Sequence, residues 1–414
     1  MVTLIVSGAV VSWLRLEPLV RGTVWAEDGR EFLGRQAAAG LWESLFVPYT
    51  GYQQFLPRVL TALAVQVDLR LYAVMVTALC CLIVGGVAAA VYVFSGSVVR
   101  AQWARVLLAA ITVLAPLAPT EVLGNTANVH WYMLWLAPWL LLYQPRSWPA
   151  ASLAAAVGLV AALTEIQMAV FLPLVLVGWR TPQAMLVRAG VAAGLGVQIL
   201  TTLSAPRAIL PSLQTTLLDE IVGYAALPIL GSAHNDTAAI GSWIASLGTV
   251  TVSILCAVLI ALAALPLVFG SAQTRILTAA LLAGSFVLWA AAGLVNPSQQ
   301  FSVFTAENWP GLHATRYAVV PSMLFLACLV LAAATLAERH GAATPVAVLL
   351  AALVIVSLTT NLRPEFSERE AGPPWSSTLG DARQLCAKQG SGPVTVDTAP
   401  AMSSVVLDCA VITR

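Results

Sequence analysis

The run LYAVMVTALCCLIVGGVAAAVYVFS, residues 71–95, carries no charged side chain and is long enough to cross a bilayer as one α-helix. Similar apolar runs recur from one end of the chain to the other. Of the 414 residues, 59% are hydrophobic and only 9% are charged, and the mean hydropathy is +0.86. This composition predicts an all-α polytopic protein whose surroundings are a lipid bilayer. The formal net charge of +1 gives no basic field that would indicate a nucleic-acid partner.

About eleven transmembrane helices are predicted when the apolar runs are compared with the charges that flank them. They lie near residues 2–20, 71–95, 105–121, 128–144, 149–164, 166–179, 188–204, 240–269, 276–295, 315–336 and 342–360. The runs 149–164 and 166–179 are short, and form either two crossings or one re-entrant hairpin. In both cases the chain returns to the side it left. Residues 1–360 are therefore expected to form one transmembrane domain.

Arginine is distributed unequally between the two sets of alternate loops. One set, whose only acidic residue is Glu338, contains Arg100, Arg105, Arg146, Arg180, Arg188, Arg275 and Arg339. Because cytoplasmic loops are enriched in Lys and Arg, this set is predicted to face the cytoplasm, together with the amino terminus. The outer face then carries segments 21–70, 121–130, 205–239, 296–314 and 361–414.

The tail, residues 361–414, is predicted to be a small α+β unit on the outer face. Trp375, Leu379, Ala382 and Leu385 recur at helical spacing, and strand-like runs follow at 394–396 and 405–412. Its two cysteines, Cys386 and Cys409, are predicted to lie in the oxidising compartment, whereas the other four lie in apolar spans. A disulfide bond between them would contribute on the order of 3 kcal/mol to a unit with little core.

The first outer loop, residues 21–70, begins with Trp25-Ala26-Glu27-Asp28-Gly29, which places two adjacent carboxylates at the membrane surface. Ionisable residues there either serve chemistry or belong to a solvated loop. Residues 29–45 have the pattern of a helix lying in the membrane interface. Further along, Tyr52, Gln53 and Arg58 could contact a sugar or a phosphate, although anchoring in an aromatic belt explains the tyrosine equally well.

Two later outer segments are also rich in polar groups. The first contains Glu121, Asn125, Asn128, His130 and Trp131, which either bind a substrate or cap helices.

The second segment contains His313, Arg316 and Tyr317 at the start of the tenth predicted span. A guanidinium group on the outer face either snorkels or holds an anion. Glu165, at the tip of the predicted hairpin, is interpreted as a structural hydrogen-bonding residue.

Three stretches together resemble bacterial GT-C type integral-membrane glycosyltransferases of the kind common in actinobacteria: Trp25–Gly29, Pro48–Arg58 and Leu123–Trp131. The resemblance covers roughly the first third of the chain. It implies a bacterial plasma-membrane enzyme with an acidic base in the first outer loop and a polyprenyl-phosphate sugar as donor. The acceptor would be a glycan or lipid of the cell envelope. Family members often carry Asp-Asp or Asp-X-Asp where this chain has Glu27-Asp28, so either acid could be the base.

The chemistry of such a transfer fits the predicted layout. One carboxylate suffices for an inverting reaction, and two adjacent acids are badly placed for opposite faces of a sugar. Arg58, Arg316 and His130 could stabilise the departing phosphate. No metal-binding spacing is evident, although a divalent cation is possible as a cofactor.

Two other functions stay open. One is a transporter or flippase of lipid-linked glycans, and the other is a non-catalytic subunit of an envelope-assembly complex.

Overall fold

A computed structural model describes residues 1–178, 181–207, 216–296, 315–339, 341–364 and 367–413 of the chain. These residues are mostly helical, and a two-stranded antiparallel sheet lies near the carboxyl end. The structure therefore confirms a helical protein with apolar helices and a small α+β unit at its carboxyl end.

Seven helices in the described ranges are long and apolar enough to cross a membrane. Their bounds are Leu69–Ser97, Gln102–Glu121, Pro182–Ser204, Thr249–Phe269, Ala272–Val295, Thr315–Ala337 and Gly341–Thr360. Each overlaps a span predicted from the sequence. The remaining predicted spans correspond to shorter helices, so the count of about eleven crossings stays a prediction.

Three predicted spans differ in length or continuity from the helices observed. The first is helical only over Val2–Leu14, before the single turn Pro18–Arg21. The predicted span 128–144 is a 13-residue helix, His130–Leu142, which is only about 20 Å long. The predicted span 240–269 is interrupted at Gly248, whose φ of 78° separates two helices. Hydropathy averaged over a window does not register such a break.

The described residues of the predicted spans 149–164 and 166–179 form a hairpin that reverses at Glu165. Trp148–Thr164 is an α-helix, and Ile166–Leu176 is a 3₁₀-helix. Gln144, which precedes the hairpin, donates to the Gly178 carbonyl at 3.2 Å, so the two ends of the hairpin lie together. The expectation that the chain returns to the side it left agrees with this geometry.

The apolar helices differ greatly in how far the protein covers them. The most apolar window of Thr315–Ala337 is 100% buried, whereas that of Thr249–Phe269 is 22% buried. Thr315–Ala337 is therefore the central helix, and Thr249–Phe269 lies at the periphery with a large apolar surface for lipid.

Small residues allow two helix pairs to pack at very short distance. A Cβ atom at Gly190 would overlap the Ala155 carbonyl, and one at Gly85 would overlap the Ile5 carbonyl. Such small-residue contacts are typical of helices that associate in membranes. They join Trp148–Thr164 to Pro182–Ser204, and Val2–Leu14 to Tyr72–Phe94.

The outer segments form shorter elements. The predicted interfacial helix is a π-helical stretch, Asp28–Leu33, followed by the helix Gly34–Leu45, which is kinked at Gly40 (φ 77°) and exposes Trp42. The other described helices of eight or more residues outside the tail are Phe55–Ala64, Leu217–Tyr224 and Thr237–Leu247.

The tail contains the helix Trp375–Gln389 and the antiparallel strands Pro393–Thr398 and Ser403–Asp408. The second strand is shorter than predicted, because residues 409–412 form a helical turn, and Leu385 is exposed at 44%. A disulfide bond joins Cys386 to Cys409.

The tail packs directly on the first outer loop. The backbone N–H of Ala399 donates to the Val24 carbonyl at 2.9 Å, and the Trp375 indole donates to the Leu69 carbonyl at 2.7 Å. Trp25, Phe32, Ala127 and Ala399 form a small apolar cluster shared by the first loop, the 121–130 segment and the tail. The tail therefore supports the loop that carries the two acids.

Candidate functional site

A cavity of about 490 Å³ is lined by several of the segments that the sequence places on the outer face. The predicted site residues that line it are Glu27, Tyr52, Asn128, His130, Trp131, Arg316 and Tyr317. Residues up to 290 positions apart in the chain, Glu27 and Tyr317, thus line one cavity.

One side of the cavity, the first-loop wall, consists of Glu27, Phe32, Tyr49, Tyr52 and Gln54. The Tyr49 hydroxyl donates to a Glu27 carboxylate oxygen at 2.8 Å. Burial, followed by the charge of Glu27, raises the pKa of Tyr49, so the phenol stays protonated and remains a donor. The Tyr49 and Tyr52 rings meet edge to face with centroids 5.9 Å apart. Glu27 is half-buried and keeps access to the cavity.

A second group of lining side chains, here named the second wall, consists of Asn128, His130, Trp131 and Glu165. His130 Nδ1 contacts a Glu165 carboxylate oxygen in a short, buried pair. The other oxygen of Glu165 accepts from the Gln167 backbone N–H at 2.7 Å. Because Glu165 occupies Nδ1, the second ring nitrogen of His130 is the one left for a molecule in the cavity.

Two guanidinium groups also line the cavity. Arg316 contacts Glu121 at 2.7 Å and donates to the Tyr317 hydroxyl at 3.1 Å. Arg207 donates to the Asn296 side-chain oxygen at 2.7 Å and is exposed. The charge of Arg316 is thus partly balanced by Glu121, whereas the described partner of Arg207 is a neutral amide.

Asp28 has a different position from its neighbour Glu27. Its side chain is only 1% exposed and is not among the residues that line the cavity. One carboxylate oxygen accepts from the Thr126 hydroxyl at 2.6 Å and from the Ala127 N–H at 2.7 Å. Burial raises the pKa of Asp28 to about 6, while the Thr126 hydrogen bond and the charge of Arg369 act in the opposite direction.

Four other residues predicted from the sequence do not line the cavity. Gln53 is buried against Gln198 and Thr201, and Asn125 holds the turn that leads to Asn128. Arg58 donates to the Val47 carbonyl and lies over the Phe32 ring. Glu121 pairs with Arg316 behind the cavity surface. His313 lies outside the described residues.

Several cavity residues were not predicted to bind substrate, among them Tyr49, Glu165 and Arg207. Anchoring in an aromatic belt explains Tyr49 as well as substrate contact does, and Glu165 is predicted to form structural hydrogen bonds at the tip of a hairpin. The available signal for Glu165 was a lone acid between two short apolar runs, which is unusual near a membrane. Its pairing with His130, 35 positions earlier, depends on tertiary structure.

Within the described ranges, no group of three or more His, Cys, Asp or Glu side chains is placed to hold a metal ion. The optional divalent cation considered from the sequence therefore has no ligand cluster in that part of the chain.

No known protein family, curated protein or solved structure matches the chain. The chemistry of the cavity residues, together with the resemblance of the three sequence stretches, is therefore the basis for assigning a function.

Proposed function

We propose that the protein is a membrane glycosyltransferase that transfers a sugar from a polyprenyl-phosphate donor to a glycan or glycolipid acceptor of the cell envelope. The observation that carries this proposal is the cavity itself. It combines an accessible carboxylate, a buried imidazole–carboxylate pair, guanidinium groups and aromatic rings. These groups match what sugar transfer from a lipid phosphate uses. The carboxylate can act as the base, the imidazole and guanidinium groups can donate to the phosphate, and the aromatic rings can pack against the sugar ring.

Glu27 is the general base in this proposal. A base must reach the proton that it removes, and Glu27 is the acid of the pair that lines the cavity. The hydrogen bond that it accepts from Tyr49 can keep the carboxylate oriented while the second oxygen remains available to an acceptor. The favoured outcome is inversion, because a single carboxylate then suffices.

The transfer step forms one bond and breaks one. The acceptor hydroxyl oxygen attacks the anomeric carbon, and its proton passes to the Glu27 carboxylate. The bond between the anomeric carbon and the phosphate oxygen breaks at the same time, and its electron pair leaves with the polyprenyl phosphate. The products are the glycosylated acceptor and the free lipid phosphate.

His130, Arg207 and Arg316 are proposed to stabilise the leaving phosphate. His130 presents a ring nitrogen to the cavity while Glu165 holds the other, an arrangement that fixes the orientation of the imidazole. Guanidinium groups provide paired N–H donors that suit phosphate oxygens. Because three cavity donors come from separate segments, the phosphate would be held only after the chain has folded.

The aromatic side chains of both walls are proposed to pack against the sugar ring. Trp131 and Tyr317 meet edge to face at 5.9 Å, and Tyr49 and Tyr52 do the same on the other wall. Such rigid rings bury apolar sugar faces while their polar atoms remain available for hydroxyl groups.

The proposed setting is the bacterial plasma membrane, with about eleven crossings, a cytoplasmic amino terminus and an extracytoplasmic tail. Single cysteines test this orientation with an impermeant thiol reagent on intact cells. Ala233→Cys, which is exposed in the predicted outer segment 205–239, should be labelled, and Gln102→Cys, exposed at the predicted cytoplasmic end, should be protected. The reverse result would place the cavity in the cytoplasm and remove the extracytoplasmic donor.

The function is tested with purified protein in lipid nanodiscs and a panel of polyprenyl phosphates that carry a labelled hexose or pentose. We expect release of polyprenyl phosphate together with transfer to an envelope acceptor, and loss of both in Glu27→Gln. Movement of the lipid across proteoliposomes without bond cleavage would favour a flippase. If no donor is cleaved and the Glu27→Gln cells keep a normal envelope, a non-catalytic assembly role becomes the better account.

A further inference from the structure

The Asp28 carboxylate binds the 121–130 segment instead of facing the cavity. A single oxygen, Oδ1, accepts from both the Thr126 hydroxyl and the Ala127 N–H. On the other side, the Asp28 backbone carbonyl accepts from the Tyr72 hydroxyl at 3.0 Å. Asp28 therefore joins the first loop, the second polar segment and a membrane-spanning helix.

These contacts determine which cavity residues Asp28 can influence. Asn128, His130 and Trp131 follow Ala127 directly, and all three line the cavity. Asn128 accepts from the Trp131 indole N–H at 3.2 Å, so the segment is internally connected. The hydrogen bonds of Asp28 to Thr126 and Ala127 thus fix the position of the second wall relative to Glu27 on the first-loop wall.

The tail holds the same segment from the other side through Arg369. Its guanidinium donates to the Leu123 carbonyl at 3.0 Å and to the Thr23 carbonyl at 3.1 Å. Arg369 is only 1% exposed, so these bonds are shielded from water. The two carbonyls belong to the two segments that carry the walls, and the adjacent Gly124 has a φ of 81° with no room for a side chain.

We infer that Asp28 and Arg369 are positioning residues, which lock the 121–130 segment to the first loop and so place His130 in the same cavity as Glu27. Asp28 does not accept the acceptor's proton. The inference rests on the proposed function for its kinetic consequences, but the locking itself can be measured without any substrate. It also assigns the tail a role in assembling the cavity.

The sharpest test compares Asp28→Asn with Asp28→Ala. The side-chain oxygen of Asn can accept the same two hydrogen bonds but cannot act as a base. We therefore expect Asp28→Asn to keep transfer within about tenfold of the wild type, mainly in KM. Asp28→Ala should lose roughly a hundredfold, mainly in kcat, because the second wall is no longer fixed. Equal and near-complete losses in both variants would identify Asp28 as the base and overturn the inference.

The role of the tail is tested with the variants Arg369→Gln and Arg369→Lys, and Arg363→Gln serves as the matched control. Arg363 lies in the same segment, but its ion pair with Glu17 is exposed and remote from the cavity lining. We expect Arg369→Gln to reduce transfer, Arg369→Lys to restore part of it, and Arg363→Gln to leave it unchanged. A lysine restores the charge without the fork that reaches two carbonyls. Equal activity in the Gln variants at 369 and 363 would contradict the role of the tail.

Hydrogen exchange of the peptides that cover 121–131, measured in full-length protein in nanodiscs, separates this inference from the proposed function. Exchange should be faster in Asp28→Ala and Arg369→Gln, and close to wild type in Asp28→Asn and Arg363→Gln. This pattern would support the locking even if no donor is ever cleaved. Unchanged exchange in Asp28→Ala, in protein that elutes as a single folded species, would refute the locking while leaving Glu27 as a base candidate.

Discussion

The two walls of the cavity each contain a carboxylate, and the surroundings of the two acids are opposite. Glu27, on the first-loop wall, is half-buried and accepts from the hydroxyl of Tyr49. Glu165, on the second wall, is 1% exposed and is paired with His130 and the Gln167 N–H. The same functional group can therefore serve as an accessible base on one wall and as an orienting partner on the other.

The comparison teaches that proximity in the chain is a poor guide to role in this protein. Glu27 and Asp28 are adjacent, yet one lines the cavity and the other is buried against Thr126. Glu27 and Glu165 are far apart in sequence, yet both line the same cavity. Four predictions test how far the difference between the walls extends.

The largest effect is expected at Glu27. Glu27→Gln keeps the size and can still accept from Tyr49, but it cannot take a proton, so transfer should fall about 10²–10⁴-fold. Initial rates at saturating donor and acceptor measure the change. Tyr49→Phe, which removes the hydrogen bond and leaves the carboxylate, serves as the matched variant and should lose much less. A fully active Glu27→Gln would leave the first-loop wall without a catalytic role.

A smaller kinetic effect and a clear loss of stability are expected on the second wall. Glu165→Ala or His130→Ala leaves one buried partner without its counterpart, which typically costs about 3–5 kcal/mol when a buried pair is broken. Transfer should fall roughly ten- to a hundredfold, since orientation of the imidazole is lost.

Thermal unfolding in detergent, carried out for both single variants and the double variant, measures the coupling within this pair. The double variant should be less destabilised than the sum of the singles, since neither polar group is then orphaned. Strict additivity would show that the His130–Glu165 contact has no energetic importance.

Substitutions of the two cavity arginines, Arg207 and Arg316, should have modest and slightly different effects on donor binding and stability. Arg207→Gln is expected to raise the donor KM about tenfold, and Arg207→Lys should recover part of the loss. Arg316→Gln should raise KM and also lower stability, because it breaks the ion pair with Glu121, whose side chain is 5% exposed. Donor titrations and unfolding curves on the same samples separate the two effects. A KM unchanged in both Gln variants would remove the arginines from the phosphate end.

The smallest effect on transfer is expected for the prediction that concerns pH and Asp28. Burial raises its pKa from 3.8 to about 6, so the folded state binds the proton more tightly than the unfolded state does. The stability from this group is present below about pH 4 and is lost as pH rises through about 6, amounting to at most about 3 kcal/mol.

Thermal unfolding of wild type and Asp28→Asn between pH 4 and pH 8 isolates this contribution, because Asn does not titrate. The wild type should lose stability relative to the variant as pH rises. A difference that stays constant, or that grows toward alkaline pH, would contradict the sign.

Much of the membrane architecture could be predicted from apolar run length. The seven long helices overlap predicted spans, since a charge-free run of about twenty residues has few alternatives to crossing a bilayer. The break at Gly248 and the short helix His130–Leu142 were not anticipated. Hydropathy also cannot distinguish the central helix Thr315–Ala337 from the peripheral Thr249–Phe269, because both consist of similar residues.

The candidate site was predicted in part. Glu27, Tyr52, Asn128, His130, Trp131, Arg316 and Tyr317 line the cavity, whereas Asp28, Gln53, Arg58 and Asn125 support it from behind. Both the lining residues and the supporting residues belong to segments that are predicted to be on the outer face. Composition does not reveal which of their side chains face the cavity. That depends on packing between segments that are distant in the chain.

By itself the sequence determined that this protein is surrounded by lipid, and it determined the segments where chemistry can occur. Apolar runs must be placed in lipid, and ionisable groups must gather where water or partners stabilise them. Only the tertiary structure decided which acid faces the cavity, because Asp28 meets the donors of Thr126 and Ala127 while Glu27 meets Tyr49 and open space. Hydrogen-bond partners and burial, which set the role of a carboxylate, exist only once the loops, the helices and the tail have packed together.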